Sequence, residues 1–443
     1  MKLWQKDINV NQRIENFTVG RDRELDLLLA TYDIQGSLAH IAMLTQIGLL
    51  AEDEYKQLAQ ALKKLHREAE KGQFKIEEGV EDVHSQVEFL LTEALGDMGK
   101  KIHSGRSRND QVLVDLRLFF RAEIKSIAHL TKALFNQLLL LSEGHKNVLM
   151  PGYTHLQVAM VSSFGLWFGA YAESLVEDLR LLESTYRSIN QNPLGSAAGY
   201  GSSFPLNRKM TTDLLGFDDL SYNVVHAQMG RGKSELFLSF ALASLGNTLG
   251  KLALDVCLFV NQNFGFISFP EELTTGSSIM PHKKNPDVFE LIRGRCNQLQ
   301  SLPGQISQMT GNLPSGYHRD FQLLKEVIFP GIEQLKDCLE IATFALSQVK
   351  VKTDILNDPK YEYLYSVEEV NKEVLNGLPF RDAYRKIGAS IEQGTFQTDR
   401  KIEHTHEGSI GNLNHEEIRN KMQVVWDNFR FEVTAERIGA LLK

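Results

Sequence analysis

The sequence predicts an all-α protein built on a bundle of long helices, and three observations carry that prediction. Between Gln111 and Leu141 apolar residues recur every three or four positions, from Leu113, Leu116 and Phe120 to Leu134, Leu138 and Leu141. That rhythm is one face of a long helix. From Lys233 to Phe264 the chain is apolar almost all round, as in a helix enclosed by others. No run of alternating apolar and polar residues stands out, and no β-α-β rhythm.

The elements follow in order. The first proline is Pro151, so ring geometry interrupts no helix in the first third of the chain. The helix over Gln111 to Leu141 carries Arg117, Arg121 and Lys125 on its other faces, and Gly144 and Pro151 close it. A second helix is expected from Ala159 to Ile189 and a third from Lys233 to Phe264. Two more are expected, from Asp287 to Leu302 and from Asp320 to Val349. Pro359, Gly377 and Pro379 then mark a change to shorter helices. At 443 residues the chain exceeds what one hydrophobic core usually serves. The breaks suggest domains at 1–103, 104–355 and 356–443.

Composition narrows the functional classes. The chain is 42% hydrophobic and 23% charged, as ordinary globular proteins are. A net charge of −8 argues against a general nucleic-acid binder, which carries a basic face. Cys257, Cys296 and Cys338 are widely spaced and odd in number. They fit neither a zinc spacing nor a disulfide framework and read as core residues of a reducing compartment. Met1 to Val10 holds Lys2, Lys6 and Asp7 and no apolar h-region, so no signal peptide is expected. Apolar runs such as Leu252 to Val260 are expected to fall short of membrane-spanning length. These features predict a cytoplasmic protein with no nucleic-acid or membrane partner.

Four segments carry candidate chemistry. Lys100 to Gln111 gathers cations, a hydroxyl and amides around Gly105 just before a helix. Asp110 or Asn109 is placed to cap that helix, and Arg106 and Arg108 suit carboxylate or phosphate recognition. A solvated basic turn with a helix cap is the plainer reading. Pro151 to Gln157 places His155 beside Thr154 on a turn expected to enter a helix, where an imidazole can act as general acid or base. Thr275 to Pro286 holds two prolines, Ser277 and Ser278, Lys283 and Lys284, and Asn285. The prolines impose a shaped loop. A lysine and an amide there can stabilise a carboxylate whose charge grows in a transition state, and a serine beside cations can act as base. A mobile surface loop is the plainer alternative. Tyr317 to Lys325 puts Gln322 and Lys325 three apart on one helix face, or is simply an amphipathic helix start.

Together these segments resemble the fumarase/aspartase superfamily and, within it, the argininosuccinate lyase family. Gly276 to Pro286 is similar to the superfamily signature G-S-S-x-M-P-x-K-x-N-P. Arg106 to Val112, following Gly105, is similar to the G-R-S-R-N-D-Q-V segment of argininosuccinate lyases. Further matches are Asp33 to His40, Glu81 to His84, Pro151 to Gln157, Pro193 to Ser196 and Leu378 to Ala383, in family order over nearly the whole chain.

The resemblance implies a three-domain fumarase/aspartase-like fold whose central long-helix bundle forms the core of a homotetramer, with each active site drawn from three subunits. It implies β-elimination of argininosuccinate to arginine and fumarate, with no metal or organic cofactor. Ser277 would be the base, with Ser278 next to it open as the alternative. Lys283 and Asn285 would stabilise the intermediate, and His155, oriented by Glu290, would protonate the leaving nitrogen. Ser37, Arg106, Ser107, Asn109, Thr154, Gln157, Ser278, Tyr317, Gln322 and Lys325 match substrate-binding positions.

The chain departs from the family at three places. His282 replaces the usual glutamine, and a histidine there is typical of adenylosuccinate lyases. The W-G-G-R-F opening is reduced to Leu3-Trp4. Asn223 to Lys233 keeps only Asn223, Ala227 and Arg231 of the pattern N-S-x-D-A-V-S-D-R-D. The alternatives are an adenylosuccinate lyase-like enzyme and a catalytically silent, crystallin-like homologue.

Overall fold

The computed structural model of the protein describes residues 11–276 and 278–443. The readings placed on Met1 to Val10, and the Ser277 assignment, lie outside the described residues.

Helices dominate. Short helices over Gln12–Val19 and Asp22–Asp26 lead into α1 (Ala30–Gln46), followed by α2 (Glu52–Glu70) and α3 (Val83–Leu95). Leu58, Leu62 and Leu65 of α2 recur at helical spacing and are buried, giving that helix one apolar stripe. They pack with Ile34, Leu38 and Ile41 of α1, Val83, Val87 and Leu91 of α3, and Ile102 in one compact cluster.

The long helix expected from Gln111 runs as α4 (Arg108–Gly144), about 55 Å at 1.5 Å per residue. A reciprocal cap starts it: Asn109 N–H donates to Ser107 Oγ at 3.3 Å, and Ser107 N–H donates to Asp110 Oδ1 at 2.8 Å. Then come α5 (Phe164–Ile189), α6 (Lys233–Val260), α7 (Asp287–Leu299), α8 (Leu302–Thr310) and α9 (Leu324–Ser347). Their buried faces form one large core, including Phe120, Phe135, Phe168, Leu242, Leu249, Ile292, Ile332 and Leu339. The rings of Phe119 and Phe329 meet there at 4.5 Å.

Four expectations are corrected. Among the described residues strands do occur, as four two-stranded pairs. The longest pair is β1 (Leu149–Thr154) with β2 (Gln157–Ser163), antiparallel. The second long helix therefore starts at Phe164, because Gln157 to Ser163 is spent on pairing and Ser163 Oγ then caps the helix at Leu166 N–H, 3.1 Å away. Thr154 and His155 sit at a hairpin tip, not on a turn entering a helix. Among the described residues two helical stretches, Asp22–Gln46 and Lys233–Val260, are long and apolar enough to cross a membrane, and most of each is buried within the protein. Apolar stretches thus reach that length here, since occasional polar residues do not end a helix.

Past residue 355 the helices shorten to α10 (Ser366–Leu375), α11 (Phe380–Glu392), α12 (His415–Asn428) and α13 (Phe431–Leu442). Phe429 and Phe431 stack at 4.6 Å and meet Tyr186 of α5 edge-on. Cys257, Cys296 and Cys338 are free thiols.

Candidate active site

The sequence-predicted residues fall into three groups in one chain. Among the described residues, no hydrogen bond or ion pair joins one group to another.

The first group lies where α1, α3, α4 and the start of α9 meet. Arg106 Nη1 donates to Ser37 Oγ at 3.0 Å, and both side chains are buried. Ser107 and Asn109 are half-buried beside them. Gln322 and Lys325 hold the N-terminal helices in place. Gln322 donates to the Thr18 and Val19 carbonyls at 3.1 and 2.8 Å. Lys325 Nζ lies 2.7 Å from Asp22 and 2.5 Å from Asp26. Tyr317 is partly exposed nearby, close enough to Arg108 to interact with its charge.

Burial sets the electrostatics of this group. It lowers the Arg106 guanidinium, although Asp33, Asp110 and Asp115 act the other way. It pushes the Asp110 carboxyl up to about 6, against the backbone donors of Ser107, Ala197 and Gly195. It opposes charge on Lys325, but Asp26 and Asp22 outweigh it and the ammonium is raised. His40 is driven down to about 3 by burial, with Arg106 adding to the effect. It is therefore neutral, and its Nε2 lies 2.8 Å from the Ser104 carbonyl, which requires the proton on that nitrogen. Arg106, Asp110 and Lys325 are desolvated, so their charges act strongly on any anion that enters.

The second group is the β1–β2 tip. Thr154 pairs with Gln157 across a two-residue turn of His155 and Leu156. Both turn residues have positive φ, 55° and 59°, the pattern of a type I′ turn. Neither is glycine, so the turn carries backbone strain of roughly 1–2 kcal/mol per residue. Thr154, His155 and Gln157 are exposed, and Leu156 is 82% exposed. The tip thus presents a histidine outward on a stiff arm.

The third group is the signature loop. Thr275–Gly276 (β3) pairs antiparallel with Lys284–Asn285 (β4), so the segment between them is a hairpin. Asn285 Nδ2 donates to Thr275 Oγ1 at 3.4 Å, and Thr275 Oγ1 donates to Asp287. Lys283, Asn285 and Glu290 line one cavity of about 760 Å³ together with Cys257, Met280 and His282. Ser278 is exposed on the same hairpin. Glu290 approaches Arg293 at 4.0 Å, while His155 remains on its own tip.

Sequence comparisons decide the family. A lyase family model matches residues 7–301. The argininosuccinate lyase of Bacteroides thetaiotaomicron is 62% identical over 430 residues, 97% of this chain and 96% of its own length. That of Phocaeicola vulgatus is 59% identical over 441 residues, 100% and 99% of the two chains. The chain belongs to the argininosuccinate lyase family.

Solved structures agree at the level of fold. An EDDS lyase variant with bound fumarate matches with a TM-score of 0.79 at 20% identity, covering 98% of this chain and 95% of its own. A fumarate lyase/delta crystallin from Brucella melitensis matches with a TM-score of 0.70 at 16% identity, covering 92% and 91%.

Against the argininosuccinate lyase family pattern, the divergent segment 223–233 does structural work. Asn223 Oδ1 caps the helix Val224–Met229 by accepting from Val225 and His226 N–H. Arg231 bonds Glu235 at 3.0 Å and the Phe321 carbonyl at 2.7 Å, all buried. At Gly230 a Cβ would lie 2.9 Å from the Ala227 carbonyl oxygen, so the aspartate of the common pattern would require the backbone to shift here. Gln228 donates to Ser196 Oγ and the Ala197 carbonyl at 3.1 and 3.2 Å, fastening the loop after Pro193.

Sequence reasoning assigned no role to several buried charges beside Arg106. Asp33, His84 and Asp115 bring their ligating atoms within 4.8 Å of one another. They have the donor types of a cation site. Burial lowers the His84 imidazolium, but the Asp33 hydrogen bond and the Asp33, Asp82 and Asp26 carboxylates outweigh it and raise it, so His84 supplies the positive charge itself. Arg108 pairs with Glu81 at 3.2 Å and Asp82 at 2.8 Å, and Arg319 also pairs with Glu81. The signal was present in the D-I-Q-G-S and E-D-V-H matches, but which charges face each other is a tertiary fact.

Proposed function

We propose that the chain splits argininosuccinate into arginine and fumarate by stepwise β-elimination, in arginine biosynthesis. The observation that carries this reading is the 62% identity to an argininosuccinate lyase along 97% of the chain, with the residues of the family pattern in place.

In this reading Ser277, or its neighbour Ser278, takes a proton from the Cβ beside a carboxylate of the succinyl group. The electron pair left on Cβ is delocalised into that carboxylate, giving a doubly charged aci-carboxylate. Lys283 and Asn285 stabilise it, since preorganised donors act most where charge grows. The pair then forms the fumarate double bond as the C–N bond breaks. His155, oriented by Glu290, protonates the departing guanidino nitrogen. A serine hydroxyl is a weak base at neutral pH, so closure of the cation-rich hairpin over the substrate and exclusion of water are part of the mechanism. Ser37, Arg106, Ser107, Asn109, Thr154, Gln157, Tyr317, Gln322 and Lys325 bind the carboxylates and the arginine end. No metal or organic cofactor enters the scheme.

The same reading makes the protein a cytoplasmic homotetramer of three-domain subunits (1–103, 104–355 and 356–443) with sites shared between copies. Two features support it. Among the described residues no hydrogen bond or ion pair joins the His155 tip to the Lys283 hairpin of the same chain. Phe237, Phe240 and Leu254 of α6 are 37%, 51% and 42% exposed, an apolar stripe on a helix that would otherwise be enclosed. Purified protein incubated with argininosuccinate should raise fumarate absorbance, and incubation with adenylosuccinate should not. The reverse result would overturn the substrate, and inertness toward both would favour a silent homologue.

A further inference from the structure

Behind Ser37 and Arg106 the charges do not balance by ordinary pairing. Asp33 on α1, His84 on α3 and Asp115 on α4 are between 1% and 6% exposed. His84 Nδ1 lies 2.7 Å from Asp33 Oδ1 and 3.5 Å from Asp115 Oδ2. One carboxylate oxygen of Asp33, one of Asp115 and a ring nitrogen of His84 all lie within 4.8 Å of one another. Gly36 lets α1 lie close to α4, since a Cβ there would lie 3.2 Å from Val114 Cγ1.

Asp115 Oδ1 and Oδ2 and Asp33 Oδ2 accept no hydrogen bond from any described donor. The charges around Asp115 are Asp33 from α1, Asp26 from the helix before it, His84 from α3, and Arg106 from the turn before α4. An ionised carboxylate without a donor is strongly disfavoured in such a site. Two carboxyls this close cannot both ionise cheaply, and a proton held on the donorless one resolves the conflict.

We propose that Asp115 is a neutral carboxylic acid at physiological pH, beside the Asp33–His84 hydrogen bond, and that this neutrality leaves Arg106 net positive toward an incoming carboxylate. Asp115 is thus a positioning residue that sets the field at Arg106 without touching substrate. The second half rests on the reading of Arg106 as a carboxylate-binding group; the first half does not. Burial raises Asp115 well above the usual carboxylate range, and the neighbouring Asp33 and Asp26 charges add to that. Were Asp115 ionised, Asp33, Asp110 and Asp115 would outnumber Arg106 and His84 and oppose an anionic substrate.

The test combines spectroscopy with kinetics. Infrared difference spectra between wild type and D115N are recorded at pH 8, where Asp22 and Asp110, raised to about 6, are ionised. Wild type should show the carbonyl stretch of a protonated carboxylic acid, and D115N should lack it. The KM of D115N for argininosuccinate should stay within about threefold of wild type, because a neutral amide replaces a neutral acid. Absence of the band in wild type overturns the proposal even if D115N does not fold. A rise in KM of more than about tenfold in a natively stable D115N overturns the field argument. Failure of wild type to turn over argininosuccinate would sink the lyase reading instead, and the infrared band would still decide the protonation state.

Discussion

Asp110 holds Gly195 from across the subunit: its Oδ2 accepts the Gly195 N–H at 2.9 Å and the Ala197 N–H at the same distance. Its other oxygen closes the cap of α4 on Ser107. One buried carboxyl thus fixes the start of the longest helix, the arginine turn before it and the loop after Pro193. D110A would leave three backbone donors, one buried and two part-buried, without this acceptor. A loss of about 3 kcal/mol in denaturant unfolding is expected, with a raised KM from a loosened Arg106. Unchanged stability would remove Asp110 from this role.

His155 separates strain from chemistry. Its φ of 55° suits glycine better than an imidazole. H155G should keep or raise thermal stability, by up to about 1 kcal/mol. The same variant should lose turnover by about a hundredfold or more, the range of a positioned general acid. Near-normal kcat would exclude His155 as the proton donor.

The long helices were legible in the sequence because their apolar spacing is local; α4 and α6 appear within a few residues of their expected limits. The β1–β2 hairpin was not. Its turn uses His155 and Leu156 where an Asn-Gly pair would have announced it, and Pro151 and Gly152 read equally well as the close of a helix. The signature loop was recognisable by residue type and Glu290 only through the family resemblance; the structure gathers Lys283, Asn285 and Glu290 around one cavity. The pairing of Asp33 with His84, 51 positions apart, and of Lys325 with Asp26, 299 apart, depends on packing that no local pattern encodes.

Acid stability should report on His40. Its folded pKa near 3 lies below the ordinary 6.5, so the unfolded chain binds the extra proton between those values. The contribution is fully present above pH 6.5 and is lost as pH falls toward 3. The shift corresponds to about 5 kcal/mol. His103, lowered to about 4 chiefly by burial, acts in the same direction. Denaturant midpoints measured from pH 7 to pH 4 should fall steeply in wild type and less steeply in H40N. Parallel slopes would contradict the assignment.

In the shared site the His155 tip of one copy meets the Lys283 hairpin of another, and mixing two dead variants is the sharpest check of that arrangement. H155N and K283A should each be inactive alone. Unfolded together in equal amounts and refolded, they should recover roughly a quarter of wild-type turnover, the statistical share of sites receiving both native residues from different copies. A mixture as inactive as its components, with tetramers formed normally, would contradict a site built between chains.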